Sequence, residues 1–449
     1  MRLRERLLLV MVGVLPLHTV FLSAWISWKP YLLLVGLLGI WDLVDGIRFR
    51  TFPWHRQASI ALAVFLAVVA TGFPAPEFRE RFLRLFLALI VGGLVMLVTE
   101  RSLRRPGMLD SVLRVVFLTA AVMGVTALLI SLVLVGVAGN TPINYLTGAV
   151  GYDLPLIDKV GKPAYLLSHF LALSNWHQDP GYGAAWAVLW STLALVASVK
   201  GLGSRRPWLD GIVLGGLWLA VVMAFARTGW LSLVIAIISV GWIMVRRGLV
   251  TAKGLAVRLS TALAATVTLL VVLFAVDVAD VGGDLDVQFA FRFQQGWDLL
   301  ADLTGLFESS EAFEDVFEPS EQRADVWPEY WEMFRSDPIT GVGLGVGWET
   351  NSVGQEPHSL WLELGAETGL IGVAAFMLLL AVILRTGAGL VGGAALLAAF
   401  LPSFTQTVLF EPTWWFAAGL FLGGKVGLGR EPPLELTGLG TGNTRSANQ

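Results

Sequence analysis

The stretch VLRVVFLTAAVMGVTALLISLVLVGV, residues 112–137, carries one charge, Arg114, in 26 residues. An apolar run of about 18 or more residues with so little charge reads as a membrane-crossing helix. Comparable runs fall at 7–26, 31–47, 57–73, 82–98, 181–199, 208–226, 229–245, 257–276, 366–384, 387–405 and 412–427. The expected fold class is therefore an all-α polytopic membrane protein with about 12 transmembrane helices.

Composition agrees. Of 449 residues, 55% are hydrophobic and 14% charged, where a soluble domain is typically about a quarter charged. With no cysteine, disulfides, thiolate metal sites and a cysteine nucleophile are excluded. The five histidines, His18, His55, His169, His177 and His358, form no HExxH-like cluster, which argues against a histidine-built zinc site. The opening MRLRER followed by LLLVMVGVLPL resembles a signal peptide without a small-residue cleavage site and reads as an uncleaved first helix.

Orientation follows from Lys and Arg. With the N-terminus inside, 21 of the 31 Lys and Arg fall on the inner side, in short loops such as KGLGSRRPW (200–208). Helices 1–9 then occupy 1–276, interrupted by an outer loop at about 138–180. A large outer segment spans 277–365, helices 10–12 occupy 366–430, and a Gly-, Thr- and Asn-rich tail, 431–449, is expected to be disordered in the cytoplasm. Trp25, Trp28, Trp208, Trp414 and Trp415 fall at expected interfaces, where aromatic belts sit. Asp42 and Asp45 can pair with Arg48 at helical spacing, and His18 falls inside the first helix.

The large outer segment is the polar exception. From Asp277 to Glu363 it holds nineteen acidic residues and three arginines, Arg292, Arg323 and Arg335. FAFRFQQGWDLLADLTGLF (289–307) could lie in the membrane interface. RADVWPEYWEMFRS (323–336) sets Trp327, Tyr330, Trp331 and Phe334 at helical spacing, with Pro328 suited to an early helical turn.

Several residues could carry chemistry. Arg227, in FARTGWLSL (225–233), is a cation between two apolar runs, a costly placement that suggests function; snorkelling or helix capping would also explain it. Arg323 could grip an anion through its planar fork or merely pair with Glu321 or Asp325. His358, just before the next helix, could move a proton near neutral pH or bond a loop carbonyl. Gly341, Gly343, Gly345 and Gly347 permit close backbone approach and could offer N–H groups to an anion. His177 and Asp179, in NWHQDPGYG (175–183), fit a binding role or a helix cap and turn. Asp284 and Asp286 form a DxD that could hold a metal or arise from acidic composition.

Four motifs then stand in order: ARTGW (226–230), RADVW (323–327), SDPITGVGLGVGW (336–348) and PHSLWLELGAETGLIG (357–372). In order, spacing and sidedness they resemble the O-antigen ligase / O-antigen polymerase superfamily over about residues 175–385. Ser359 departs from the pattern, which often has asparagine after the histidine. The resemblance implies a GT-C-like helical fold with its site at the outer surface of a bacterial cytoplasmic membrane, both termini inside. It implies a polyprenyl-diphosphate-linked glycan donor and a glycan or lipid acceptor, with no metal, no nucleotide and no other cofactor. Nucleic acid is not an expected partner. Arg227 and Arg323 would hold the donor diphosphate, and His358 would orient or deprotonate the acceptor hydroxyl, with inversion at the anomeric carbon. Ligase and polymerase share these parts. A metal-dependent enzyme built on Asp284 and Asp286 is a rival reading, as is a transporter of the same lipid-linked sugars, although no internal repeat supports the latter.

Overall fold

A computed structural model describes residues 2–16, 20–23, 26–28, 30–73, 75–138, 180–204, 206–223, 227–279, 321–352, 354, 356–387, 389–404 and 408–424. His18, the 289–307 stretch and the 431–449 tail lie outside the described residues.

Helix dominates. In chain order come α1 (Leu3–Val14), a hairpin of β1 (Val20–Ser23) and β2 (Ile26–Trp28), α2 (Pro30–Phe49), α3 (Arg56–Thr71), α4 (Arg79–Leu103) and α5 (Met108–Ala138). Next are α6 (Pro180–Val199), α7 (Pro207–Met223), α8 (Arg227–Arg246) and α9 (Ala252–Ala279). Finally come α10 (Glu321–Ser336), α11 (Val346–Thr350), α12 (Leu360–Thr386), α13 (Leu390–Phe400), a 3-10 turn at Leu401–Phe404 and α14 (Pro412–Gly424). Five helical stretches among the described residues are long and apolar enough to cross a membrane: Arg79–Leu103, Met108–Thr126, Gly229–Arg246, Ala252–Leu273 and Leu360–Thr386.

The first apolar run departs from expectation. Its helix stops at Val14 and is followed by the antiparallel pair β1–β2. Pro16, which has no N–H and whose ring opposes a preceding helical turn, ends it, and the Val-, Phe- and Ile-containing residues beyond suit strands.

α6 is the centre of the bundle. Its residues from Ala184 to Ser198 are buried, and it packs against α5, α7, α8 and α13. A helix apolar on every side is what such a position requires. Where α5 crosses α7, a Cβ on Gly124 would lie 3.1 Å from the backbone of Gly216, so small residues let the two backbones meet. Trp414 and Trp415 are fully buried, not interfacial as expected. Gly92 of α4 leaves room for the Trp415 indole, whose N–H donates to the Leu409 carbonyl at 2.7 Å.

One end of the bundle is tied by buried charge. Arg4 donates to Asp42 through Nε at 2.7 Å and Nη2 at 3.0 Å, and to Ser102 at 3.0 Å. Arg101 pairs with Asp45 at 3.3 Å and donates to the Asp42 carbonyl at 2.8 Å. The expected pairing with Arg48 is thus replaced, because α2 turns its acidic face toward α1 and α4 while Arg48 stays exposed. On α4, twenty residues separate Arg101 from Arg81, a rise of about 30 Å. That matches the roughly 30 Å hydrocarbon core of a bilayer. Arg81 marks the opposite end, where the candidate site lies.

Candidate functional site

The site is built around a break in α12. Gly369 has φ 60 and ψ −170, a conformation open to glycine alone. A Cβ there would sit 2.4 Å from the Ile339 backbone. The break frees backbone groups that water cannot serve inside a bundle. The segment SDPITGVGLG laces across it and satisfies them. Val342 N–H donates to the Ala366 carbonyl at 3.0 Å and Gly343 N–H to the Glu367 carbonyl at 2.9 Å. In return, Leu370 and Ile371 donate to the carbonyls of Pro338 and Ile339 at 2.9 and 3.2 Å.

The glycine ladder therefore has a structural task. Gly341, Gly343 and Gly345 all have positive φ. The N–H groups of Gly345 and Gly347 do meet an acceptor, and it is the chain's own: the Glu367 carboxyl group, at 2.8 and 3.2 Å. Glu367 is 1% exposed. Gly347 lies under the Tyr330 ring, where a Cβ would be 2.6 Å from a ring carbon.

α10 lies over the first turns of α12. Val326 and Tyr330 bury themselves against Ala366, with Met333, Phe334 and Leu362 beside them. The aromatic spacing thus marks a helix as expected, but only Tyr330 of the four is fully buried; Trp327 and Trp331 are half exposed. Burial first, then the charges of Glu367, Glu363 and Glu356, push the Tyr330 phenol far above its ordinary pKa, so it stays a neutral O–H. The helix begins at Glu321, earlier than expected, so Pro328 falls in its interior. There it removes the hydrogen bond that the Ala324 carbonyl would otherwise receive.

Two contacts from α10 fasten the loop before α12. Trp327 donates its indole N–H to the Pro357 carbonyl at 2.7 Å. Glu329 accepts the Ser352 N–H at 2.8 Å and the Ser352 hydroxyl. His358 follows directly, with φ 48. A bulky residue in that left-handed region is strained and is kept there only by its surroundings. Arg323 lies one helical turn before Trp327 on α10.

Arg227 is the first residue of α8. It therefore stands at the opening of a helix. Anions are favoured at a helix N-terminus, and cations gain nothing there from the dipole. Trp230 ties this start to α7 by donating to the Val221 carbonyl at 3.1 Å. The 3-10 turn Leu401–Phe404 packs on both α8 and α12, and Trp361 of α12 meets Phe404 at 6.4 Å between rings. The helix opened by Arg227 and the helix that follows His358 thus share a neighbour. His177, Asp179, Asp284 and Asp286 lie outside the described residues. A cavity of about 400 Å³ between α3 and α12, lined by Gln57, Ile60, Leu378 and Arg385 among others, is formed by none of the candidate residues.

Two residues at this end were not singled out from sequence. Glu367 had a signal, an acid within the apolar run of a helix. Arg81 had none. Its guanidinium lies 3.6 Å from the centroid of the Trp348 ring and 3.8 and 3.7 Å from Glu349 and Glu356.

Residues 212–377, from α7 through the break in α12, match the family described as O-antigen ligase. This stretch belongs to the O-antigen ligase superfamily, and it contains Arg227, Arg323 and His358. The match supports a membrane protein with O-antigen ligase or polymerase type function in the broad sense, hence glycosyltransferase-like activity. No curated protein matches the chain.

Proposed function

We propose that this protein is a membrane glycosyltransferase of the O-antigen ligase type, acting in cell-envelope polysaccharide biosynthesis. It transfers a glycan from a polyprenyl-diphosphate carrier to an acceptor hydroxyl on a lipid core or another surface molecule. The observation that carries the reading is the junction at His358: a strained histidine whose neighbour Pro357 accepts a bond from Trp327, and Trp327 shares α10 with Arg323.

In this reading Arg227 and Arg323 bind the donor diphosphate. Guanidinium suits phosphate because its planar fork donates two parallel hydrogen bonds. His358 takes the proton of the acceptor hydroxyl. The hydroxyl oxygen attacks the anomeric carbon as the bond from that carbon to the diphosphate oxygen breaks. The electron pair leaves with polyprenyl diphosphate, whose growing charge the arginines stabilise. The glycan is transferred with inversion, and the proton passes from His358 to solvent. Gly343 and Gly345 contribute by shaping the loop, and His177 and Asp179 supply further substrate contacts.

The arrangement in the membrane follows. The long apolar helices span a bacterial cytoplasmic membrane in a GT-C-like fold, with both termini in the cytoplasm. The basic end around Arg4 and Arg101 faces inward, and segment 277–365 caps the outer side. The short basic inner loops support this orientation.

The test is transfer by the purified protein in liposomes, supplied with a lipid-linked glycan with and without a separate acceptor. Glycan appearing on the added acceptor supports the ligase reading. Chain growth on lipid-linked units alone would replace it with a polymerase, and carriage of intact donor across the bilayer with no transfer would replace it with a transporter.

A further inference from the structure

We infer that Arg81 is a positioning residue that clamps the His358 loop to the membrane helices. The inference rests on the transferase reading of His358 for its kinetic consequence, but not for its geometry.

Arg81 stands in the first turn of α4, and its side chain is 21% exposed. It touches both flanks of the loop. On one flank are Trp348, under the guanidinium at 3.6 Å, and Glu349 at 3.8 Å, both in α11. On the other is Glu356 at 3.7 Å, two residues before His358. Its stem covers the ladder, where a Cβ on Gly345 would lie 3.0 Å from Arg81 Cγ. Arg81 Nε is buried with no hydrogen-bond partner among the described residues.

These features distinguish a clamp from an ordinary surface cation. A solvated arginine leaves its guanidinium in water; this one gives up part of its hydration, a costly exchange unless packing and charge compensate. The compensation comes from stacking on an indole, the strongest aromatic partner for a cation. Two carboxylates add to it from beyond hydrogen-bond distance. From the other side, α10 holds the same loop through Trp327–Pro357 and Glu329–Ser352. The loop ending in His358 is thus gripped between α10 and α4. Of the two grips, only the one from α4 fixes the loop directly to a helix of the bundle that precedes it in the chain.

A catalytic group displaced by about an ångström can lose up to roughly a hundredfold in rate. Arg81→Ala should therefore lower kcat by roughly tenfold or more while leaving the KM for the donor within about twofold, since Arg81 does not touch the donor in this account. Arg81→Lys keeps the charge for Glu349 and Glu356 but loses the planar stack on Trp348, so it should restore activity in part.

A second readout needs no activity. The chain has no cysteine, so Thr350→Cys, at an exposed position at the end of α11, accepts a single nitroxide label. In otherwise native protein the label should report a restrained loop; with Arg81→Ala its mobility should rise, and with Arg81→Lys it should fall between. If Arg81→Ala does not reach the membrane, Glu349→Gln with Glu356→Gln serves in its place and, keeping the stack on Trp348, should loosen the label in part. An unchanged label spectrum in the variant that inserts would overturn the clamp. So would a raised donor KM at unchanged kcat, which would make Arg81 a donor-binding group. Loss of the label's restraint with no transfer by any form, the native chain included, would sustain the clamp and remove the transferase reading alone.

Discussion

The indole N–H of Trp327 donates to the carbonyl of Pro357 at 2.7 Å. That bond joins the helix carrying Arg323 to the residue before His358. Trp327 is half exposed, so its main task is the bond rather than core packing. Trp327→Phe keeps an aromatic ring and loses the donor. The expected outcome is a stability change of only about 1 kcal/mol, read by thermal unfolding in detergent. Transfer rate should fall clearly, because His358 and Arg323 lose their common anchor.

Glu367 makes a different prediction. Its carboxylate accepts two backbone N–H bonds inside the protein. Glu367→Ala leaves both donors buried without a partner, at about 1–3 kcal/mol each. Glu367→Gln keeps one acceptor oxygen and should lose about half as much. The ranking native, Gln, Ala in melting temperature checks this; equal melting of all three would contradict it.

Gly369→Ala should be worse than either. The backbone there is left-handed, and the added methyl would meet the Ile339 backbone at 2.4 Å. Neither neighbour can move without undoing the bonds that lace 338–343 across α12. The expected result is loss of folded protein from the membrane fraction, whereas Gly365→Ala, where the nearest atom to a new Cβ is 3.8 Å away, should accumulate normally.

At the opposite end, Arg4 and Asp42 form a buried pair, with side chains 3% and 0% exposed. Removing one partner strands a charge and typically costs about 3–5 kcal/mol. Asp42→Ala should therefore lower the melting temperature sharply. The protein that does fold should retain the native donor KM, since Asp42 lies about 30 Å along the bundle from the ladder by the rise of α4. Measuring both quantities in one preparation separates stability from chemistry.

Much of this was legible in the sequence for a simple reason. Apolar runs long enough to cross a bilayer declare themselves locally, and the helices α2–α9 and α12–α14 fall on the runs read from sequence. Arg227 stood out as a cation between two apolar runs, whereas Arg323 and His358, in the polar segment, drew their weight from the order of the four motifs. What could not be read is tertiary. Nothing local says that Gly343, Gly345 and Gly347 donate their N–H groups to Glu367, or that 338–343 mends a break at Gly369. Arg81 sits in a run of ordinary outer cations, Arg79, Arg81 and Arg84, and only packing sets it apart. Trp414 and Trp415 misled because interface and core ask for the same ring, and the space left by Gly92 decides between them.

In the proposed reaction His358 activates the acceptor while Arg323 and Arg227 hold the donor. Its most direct measurement is glycan transfer in liposomes by His358→Ala, Arg323→Ala and Arg227→Ala, each checked for native melting and membrane insertion. His358→Ala should lose transfer but still bind donor, and the two arginine variants should lose donor binding and transfer together. Full transfer by well-folded His358→Ala would contradict it.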